Sequence, residues 1–208
     1  KAFIADENCI FFSADYSQVE LRLMAHLSED KNLLDAFRNG ADIHTATAAL
    51  LFGIPLNEVT ADQRRPAKTA NFGIIYGQSA HGLSATTGMS RAQAQKFIDD
   101  YFNRFPRVRE WMGEVLAQAE KNGYVETLLK FRREIPDIRS SNKMRRSRAE
   151  REAVNTIIQG SAADLIKTAM VRLAGELAAR KMRSRLLLQI HDELLLELPP
   201  EELDGLRD

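Results

Sequence analysis

The sequence predicts an α+β fold: an antiparallel sheet with packed helices, interrupted by a mainly helical insertion. Three observations carry this reading. A short apolar run, Ile10-Phe11-Phe12-Ser13-Ala14, stands near the start and reads as a strand. A strand, tight turn and strand over Arg185 to Leu198 stands near the end. Between them the chain shows helical apolar spacing punctuated by capping residues, with no internal repeat and no low-complexity tract.

The elements follow in order. The first strand ends at Asp15-Tyr16-Ser17, and Val19, Leu21, Leu23, Met24 and Leu27 predict a helix directly after it. Asp30 to Phe37 is a short amphipathic helix closed by Asn39-Gly40, and Asp42 caps the next, Ile43 to Phe52, which stops at Gly53 and Pro55. Thr60-Ala61-Asp62-Gln63 opens a helix running through Arg64, Lys68 and Phe72 towards Tyr76-Gly77. Pro66 suits that helix only in its first turn, where a missing N–H costs nothing. Ser90 caps a helix through Phe105, Pro106 breaks it, and Val108 to Asn122 forms another, closed by Gly123. Tyr124 to Leu128 alternates like a strand, a basic loop follows with Pro136 as its marker, and a helix from about Arg145 continues past Gly160 to Leu177.

Composition narrows the class. With 208 residues and 44% hydrophobic content, the chain can bury a sizeable core or two smaller ones. No run approaches the ~20 apolar residues of a membrane span, and the first residues lack the apolar stretch of a signal peptide, so a soluble intracellular protein is expected. The single cysteine, Cys9, reads as a buried thiol in a reducing compartment. Beginning without Met and stopping soon after a strand, the chain reads as cut from something longer. Lys plus Arg and Asp plus Glu each number 29, but from Lys130 to Glu152 nine basic residues face four acidic ones. That stretch is either a solvated surface or a phosphate-contacting one. No phosphate-binding P-loop and no G-x-G-x-x-G occurs, His26, His44, His81 and His191 lack zinc spacing, and Ser13, Ser17 and Cys9 lack a local base.

Two constellations could carry chemistry. Asp15 ends the first strand, and Asp192-Glu193 sit in the turn between Leu186-Leu187-Leu188-Gln189-Ile190 and Leu194-Leu195-Leu196. If both strands share a sheet, these carboxylates can meet at its edge and hold two hard cations, magnesium being the natural occupant. Taken alone, Asp192-Glu193 reads more readily as a solvated turn. The second constellation is Arg64, Lys68, Phe72 and Tyr76, four apart on one slowly winding helix face. It could grip a triphosphate with its cations and pack a sugar and base on its rings, although aromatic residues at this spacing also serve as core.

Together these stretches resemble the bacterial family A DNA polymerases. Asp15-Tyr16-Ser17-Gln18-Val19-Glu20-Leu21-Arg22 is similar to the family's first palm motif, and Arg64-Arg65-x-x-Lys68-x-x-Asn71-Phe72-Gly73-x-x-Tyr76-Gly77 to its nucleotide-binding fingers helix. Gln189-Ile190-His191-Asp192-Glu193 resembles the last palm motif, and similarity at Asp42-Ile43-His44, Gly123 to Leu128 and Asn155 to Lys167 extends the likeness over essentially the whole chain.

The resemblance implies an incomplete right-hand fold, with palm at residues 1–27 and 150–208 and fingers at 28–149. It implies a monomeric template-directed DNA polymerase acting in replication and repair, cytoplasmic and nucleoid-associated. Its partners would be primer–template DNA and dNTPs, with no membrane. Asp15 and Asp192 would hold two Mg2+ ions, replaceable by Mn2+, with help from the Tyr16 carbonyl and a secondary role for Glu193. Arg64, Lys68 and His44 would contact the triphosphate, Lys68 also donating a proton to pyrophosphate. Phe72, Tyr76 and Gln18 would line the nucleotide site, Glu20 with Tyr76 would bar a ribose 2′-hydroxyl, and Arg151, Asn155, Gln159 and His191 would face the duplex.

Departures from the family pattern stand at Leu129-Lys130-Phe131-Arg132-Arg133, where Gly-Arg-Arg is common, and at Pro66. Set against the family pattern, the stretch given is expected to lack the arginine-bearing thumb motif, any nuclease domain and the final palm segment. The alternative is therefore a catalytically incompetent fragment that binds only DNA or dNTP. Glu20 at the sugar gate argues against a single-subunit RNA polymerase.

Overall fold

The computed structural model describes residues 3–207, and the side chains of all of these except Leu50. It is a mixed fold of helices and small antiparallel sheets, and the chain divides into two compact units: residues 1–19 with 161–208, and residues 20–160.

In the first unit, β1 (Ile10–Asp15), β4 (Arg185–Ile190) and β5 (Glu193–Leu198) form one antiparallel sheet in the order β1-β5-β4. Register follows from the period of two in β5. Leu194, Leu196 and Leu198 point inward and are buried with Ile166 and Leu177, against which Phe12 and Leu186 also pack. Each fully buried leucine contributes about 1.5–3 kcal/mol. Glu193, Leu195 and Glu197 take the opposite face, where Glu197 accepts from the Asp6 N–H at 2.9 Å and pairs with Arg185. A bulge between Leu186 and Leu188 leaves Leu187 outside the pairing. A short helix, Leu203–Arg207, ends the described chain; no element was expected there.

The second unit begins with α1 (Val19–Ser28), whose first residue belongs to the first unit, then α2 (Lys31–Arg38) and α3 (Ile43–Phe52). Asp42 caps α3 as expected, and Asp30, read from the sequence as the first residue of its helix, is the cap of α2; each accepts backbone N–H groups. α4 (Ala61–Ile75) opens with a full capping box, Thr60 and Gln63 satisfying each other's backbone donors. Pro66 corrects the sequence reading: it lies in the second turn of α4, not the first, and the helix continues through it. A proline there leaves one carbonyl a turn earlier without its helical donor.

α5 (Ala80–Thr87), capped by Ser79, was not separately anticipated. α6 (Arg91–Arg104) starts at a Ser90–Gln93 capping box, and α7 (Pro106–Asn122) takes Pro106 as its first residue and ends on Gly123 at φ 80°. β2 (Tyr124–Glu126) pairs with β3 (Arg132–Glu134), so part of the basic stretch read as loop is the return strand of a hairpin. Its three residues were too few and too charged to read as a strand. α8 (Lys143–Ala179) supplies its first eighteen residues to this unit. One core runs through it, from Leu21 and Met24 through Ile74, Phe97, Tyr101 and Trp111 to Val154 and Ile158. No helix among the described residues is long and apolar enough to cross a membrane.

Candidate active site

The functional candidates fall into two groups, one in each unit. In the first unit the sheet register brings the acidic residues together: Asp15 pairs with Glu193 across β1 and β5, and the Tyr16 N–H donates to the Asp192 carbonyl at 3.1 Å. Strand ends separated by most of the sequence thus become backbone neighbours. Asp15 is exposed, Asp192 and Glu193 half-buried, and Tyr16 exposed. Ser13 donates its hydroxyl to Glu193, which draws that carboxylate along β1. His191 opens the two-residue turn at φ 56°, and the Gln189 amide donates to its carbonyl at 2.9 Å. Gln18 sits at φ 55° with its side-chain oxygen buried and unpartnered.

Among the described residues no three His, Cys, Asp or Glu side chains converge as a ready metal cluster. The donor set nonetheless fits a hard divalent cation: carboxylate oxygens at the solvent-facing end of a sheet, without soft sulfur or imidazole ligands.

In the second unit, α4 presents Arg64, Lys68, Phe72 and Tyr76 on one face, drifting about 40° per four residues. Phe72 and Tyr76 stack at 5.9 Å between centroids, and the Lys68 ammonium lies 5.9 Å from the Phe72 ring. Tyr76 donates its hydroxyl to Glu20, joining two residues that the sequence places 56 apart. Arg64 holds Asp42 through Nε–Oδ2 at 2.7 Å, and the same carboxylate caps α3 by accepting from the His44 N–H at 2.9 Å. Burial alone would raise the Asp42 carboxyl, but Arg64 and the two backbone donors outweigh it and hold it below its ordinary value.

His44 is buried at 2% exposure, with its ring 5.7 Å from that of Phe72. Desolvation pushes its pKa down to about 4, against the pull of Asp42 and helped by the nearby charges of Arg64 and Lys68. Asn71, fully buried, lies 3.0 Å from His44 Nδ1, and its side-chain oxygen accepts from Thr47 Oγ1 at 3.0 Å.

Arg151, Asn155 and Gln159 occupy one face of α8; Arg151 donates to Ser147 at 3.0 Å, and Asn155 keeps a buried oxygen without a partner. Much of the basic stretch is internally committed. Arg133 pairs with Glu152, Arg146 with Glu120 and Glu150, Arg132 with Glu134, and Lys130 with Glu126. Arg139 donates to the carbonyls of Glu120 and Lys121 at the end of α7. Among the described residues of the stretch, Lys143, Arg145, Arg148 and Arg151, all exposed, make no ion pair and are left for an external anion.

Comparison with known proteins decides the family. The sequence model of DNA polymerase family A matches residues 1–208. The chain belongs to DNA polymerase family A. Members of this family use divalent metal ions, in keeping with the carboxylates at the sheet end. DNA polymerase I of Streptococcus pneumoniae serotype 4 is 52% identical over 205 residues, 98% of this chain and 23% of that protein. DNA polymerase I of Geobacillus stearothermophilus is 51% identical over 207 residues, 99% of this chain and 24% of that protein. The POL domain of Pol1 from M. smegmatis, solved in complex with DNA primer-template and dNTP, superimposes with a TM-score of 0.93 at 44% identity, covering 99% of this chain and 36% of that one. The chain thus spans about a quarter of the length of these polymerase I relatives.

Asn71 and Thr47 carried no expected role, and Asp42 only that of a cap. A signal was present: Asn71 occupies an apolar-facing position of α4 between Ala67, Ala70 and Ile74, all buried. A polar side chain on a buried stripe requires partners.

Proposed function

We propose that this chain forms the palm and fingers of a template-directed DNA polymerase that transfers a deoxynucleotide from dNTP to a primer 3′-hydroxyl and releases pyrophosphate. The observation that carries the proposal is the register placing Asp15 beside the Asp192–Glu193 turn. The names of its polymerase I relatives, and the DNA and dNTP bound by the M. smegmatis protein, support it. Palm is assigned to residues 1–27 and 150–208 and fingers to 28–149.

Asp15 and Asp192, with the Tyr16 carbonyl, would hold two Mg2+ ions, replaceable by Mn2+, and Glu193 would assist. When bound, such ions raise the acidity of the primer hydroxyl and offset charge on the phosphates. Arg64 and Lys68 bind the triphosphate as cations, His44 as a neutral donor, and Lys68 hands a proton to the departing pyrophosphate. Phe72, Tyr76 and Gln18 shape the nucleotide site. Glu20, tied to Tyr76, fills the space a ribose 2′-hydroxyl would need. Arg151, Asn155, Gln159 and His191 contact the primer–template, whose base pairing supplies the sequence information. The protein acts as a monomer in the bacterial cytoplasm, at the nucleoid, in replication and repair.

The test is primer extension by the Geobacillus stearothermophilus polymerase carrying this segment in place of its 207 matched residues, beside Asp15→Ala and Asp192→Ala versions. Magnesium-dependent, template-directed dNTP addition that both substitutions abolish is expected. A folded chimera that binds primer–template but adds no nucleotide would assign the segment to binding alone.

A further inference from the structure

We propose that Asn71 is a positioning residue that fixes the tautomer of His44, presenting its Nε2–H as a neutral donor to the nucleotide phosphates. This rests on the reading of His44 as a triphosphate contact, but its central claim, the tautomer, can be read without turnover.

An imidazole has two nitrogens, and in the neutral ring one donates while the other accepts. The amide of Asn71 can approach His44 Nδ1 with either its NH2 or its oxygen, and the choice dictates which ring nitrogen carries the proton. In the structure the amide stands with Oδ1 towards the Thr47 hydroxyl, which donates to it at 3.0 Å, and with its NH2 towards His44 Nδ1 at 3.0 Å. Nδ1 is then the acceptor, and the proton resides on Nε2.

All three side chains are buried, His44 at 2%, Asn71 at 0% and Thr47 at 4% exposure, so water does not substitute for any member of the relay. Thr47 lies on α3 with His44, while Asn71 lies on α4, so the relay also ties the histidine to the helix that carries Arg64 and Lys68. The charged groups facing His44 are Asp42 on its own helix, and Arg64 and Lys68 on α4. Beside two cations a second proton is disfavoured, consistent with the lowered His44 pKa. A phosphate oxygen accepts only, so a ring with the opposite tautomer would turn a lone pair towards it. Outer hydrogen bonds that set a histidine tautomer are a recurrent device in sites where one nitrogen must act.

The experiment uses the full-length polymerase labelled with 15N-histidine, the His44 signals being assigned by their loss in His44→Gln. Long-range 1H–15N correlation at pH 7 is expected to show a neutral ring protonated at Nε2. A ring protonated at Nδ1, or an imidazolium, overturns the proposal. Asn71→Asp keeps the shape but replaces the donor with an acceptor, so His44 should gain a proton on Nδ1. The KM for dNTP should then rise with pH between about 6 and 8.5, by roughly tenfold or more, with kcat changed much less, where the unsubstituted enzyme has no such titration. Asn71→Asp with an unchanged ring state also overturns it. If Asn71→Asp does not fold, Asn71→Leu, which removes the donor to Nδ1, should yield a mixture of tautomers, and an Asn71→Leu ring still wholly Nε2-protonated overturns the proposal in its place. An Nε2–H ring combined with a dNTP KM indifferent to His44→Gln would preserve the tautomer and refute the phosphate contact instead.

Discussion

Gly160, inside α8, is a position where two ordinary rules oppose each other. Replacing glycine by alanine within a helix gains about 1 kcal/mol from backbone entropy and propensity. At Gly160, however, an added Cβ would stand 2.6 Å from Thr127 Cγ2, whereas ordinary contacts begin at 3.4 Å. The threonine methyl would have to retreat by about 1 Å, which a packed interior resists. Thr127 has little freedom to comply. It is 3% exposed, its hydroxyl accepts from the Phe131 N–H at 3.0 Å, and its backbone closes the hairpin turn through the Phe131 carbonyl and the Lys130 N–H, each at 2.9 Å. Overpacking of this kind costs about 1–3 kcal/mol, so Gly160→Ala should lose net stability, by roughly 1 kcal/mol. Thr127→Ser keeps the hydroxyl and removes the obstructing methyl at a cost of about 1 kcal/mol. In its presence Gly160→Ala should be neutral or stabilising, a coupling of about 1–2 kcal/mol in a double-mutant cycle read by denaturant or thermal unfolding. If Gly160→Ala alone raises the midpoint, or if the two changes add without coupling, the steric reasoning is wrong.

Tyr101 is wholly buried with its hydroxyl unpartnered, and burial beside Asp30 drives its pKa well up. Tyr101→Phe should therefore raise unfolding stability by about 1 kcal/mol, where a hydrogen-bonded tyrosine would lose a similar amount. Lys130 stands at φ 69° in the hairpin turn, a conformation that costs a side chain about 1–2 kcal/mol, so Lys130→Gly should raise the thermal midpoint by a few degrees. The His44 pKa, lowered by burial to about 4, means that between that value and 6.5 the unfolded chain takes up a proton the folded one refuses. Stability should fall as pH drops through that window, by up to roughly 3 kcal/mol, and the slope should be shallower in His44→Gln. Unfolding curves recorded at pH 7, 6, 5 and 4.5 check this.

The sequence displayed what repeats along it. Capping residues at Asp30, Asp42, Thr60 and Ser90, the closing Gly123 and the apolar period of β5 are local signals, and helices and strands follow them. The α4 stripe was legible for the same reason, since four-residue spacing alone places its members on one face. What escaped was decided by partners far along the chain. The return strand Arg132–Glu134 exists because Tyr124–Glu126 lies opposite it, with nothing apolar in its own three residues to announce it. The cations of the basic stretch looked available until their acidic partners, Glu120, Glu150 and Glu152, were located. Asn71 and Thr47 are separated by 24 positions, and no periodicity links them. Pro66 falls in the second turn because the Thr60–Gln63 cap starts the helix at Ala61, and the helix continues through it.

The two-residue turn between β4 and β5 holds His191 at φ 56°, where glycine would rest without strain. The backbone at this position and the duplex contact proposed for its side chain therefore ask for different residues. Anyone selecting this protein for heat resistance alone would find the position drifting towards glycine or asparagine. The hardier variants would have surrendered the imidazole next to Asp192, the group proposed above to meet the primer–template, so a screen that rewards melting temperature has to be paired here with one that reads DNA binding.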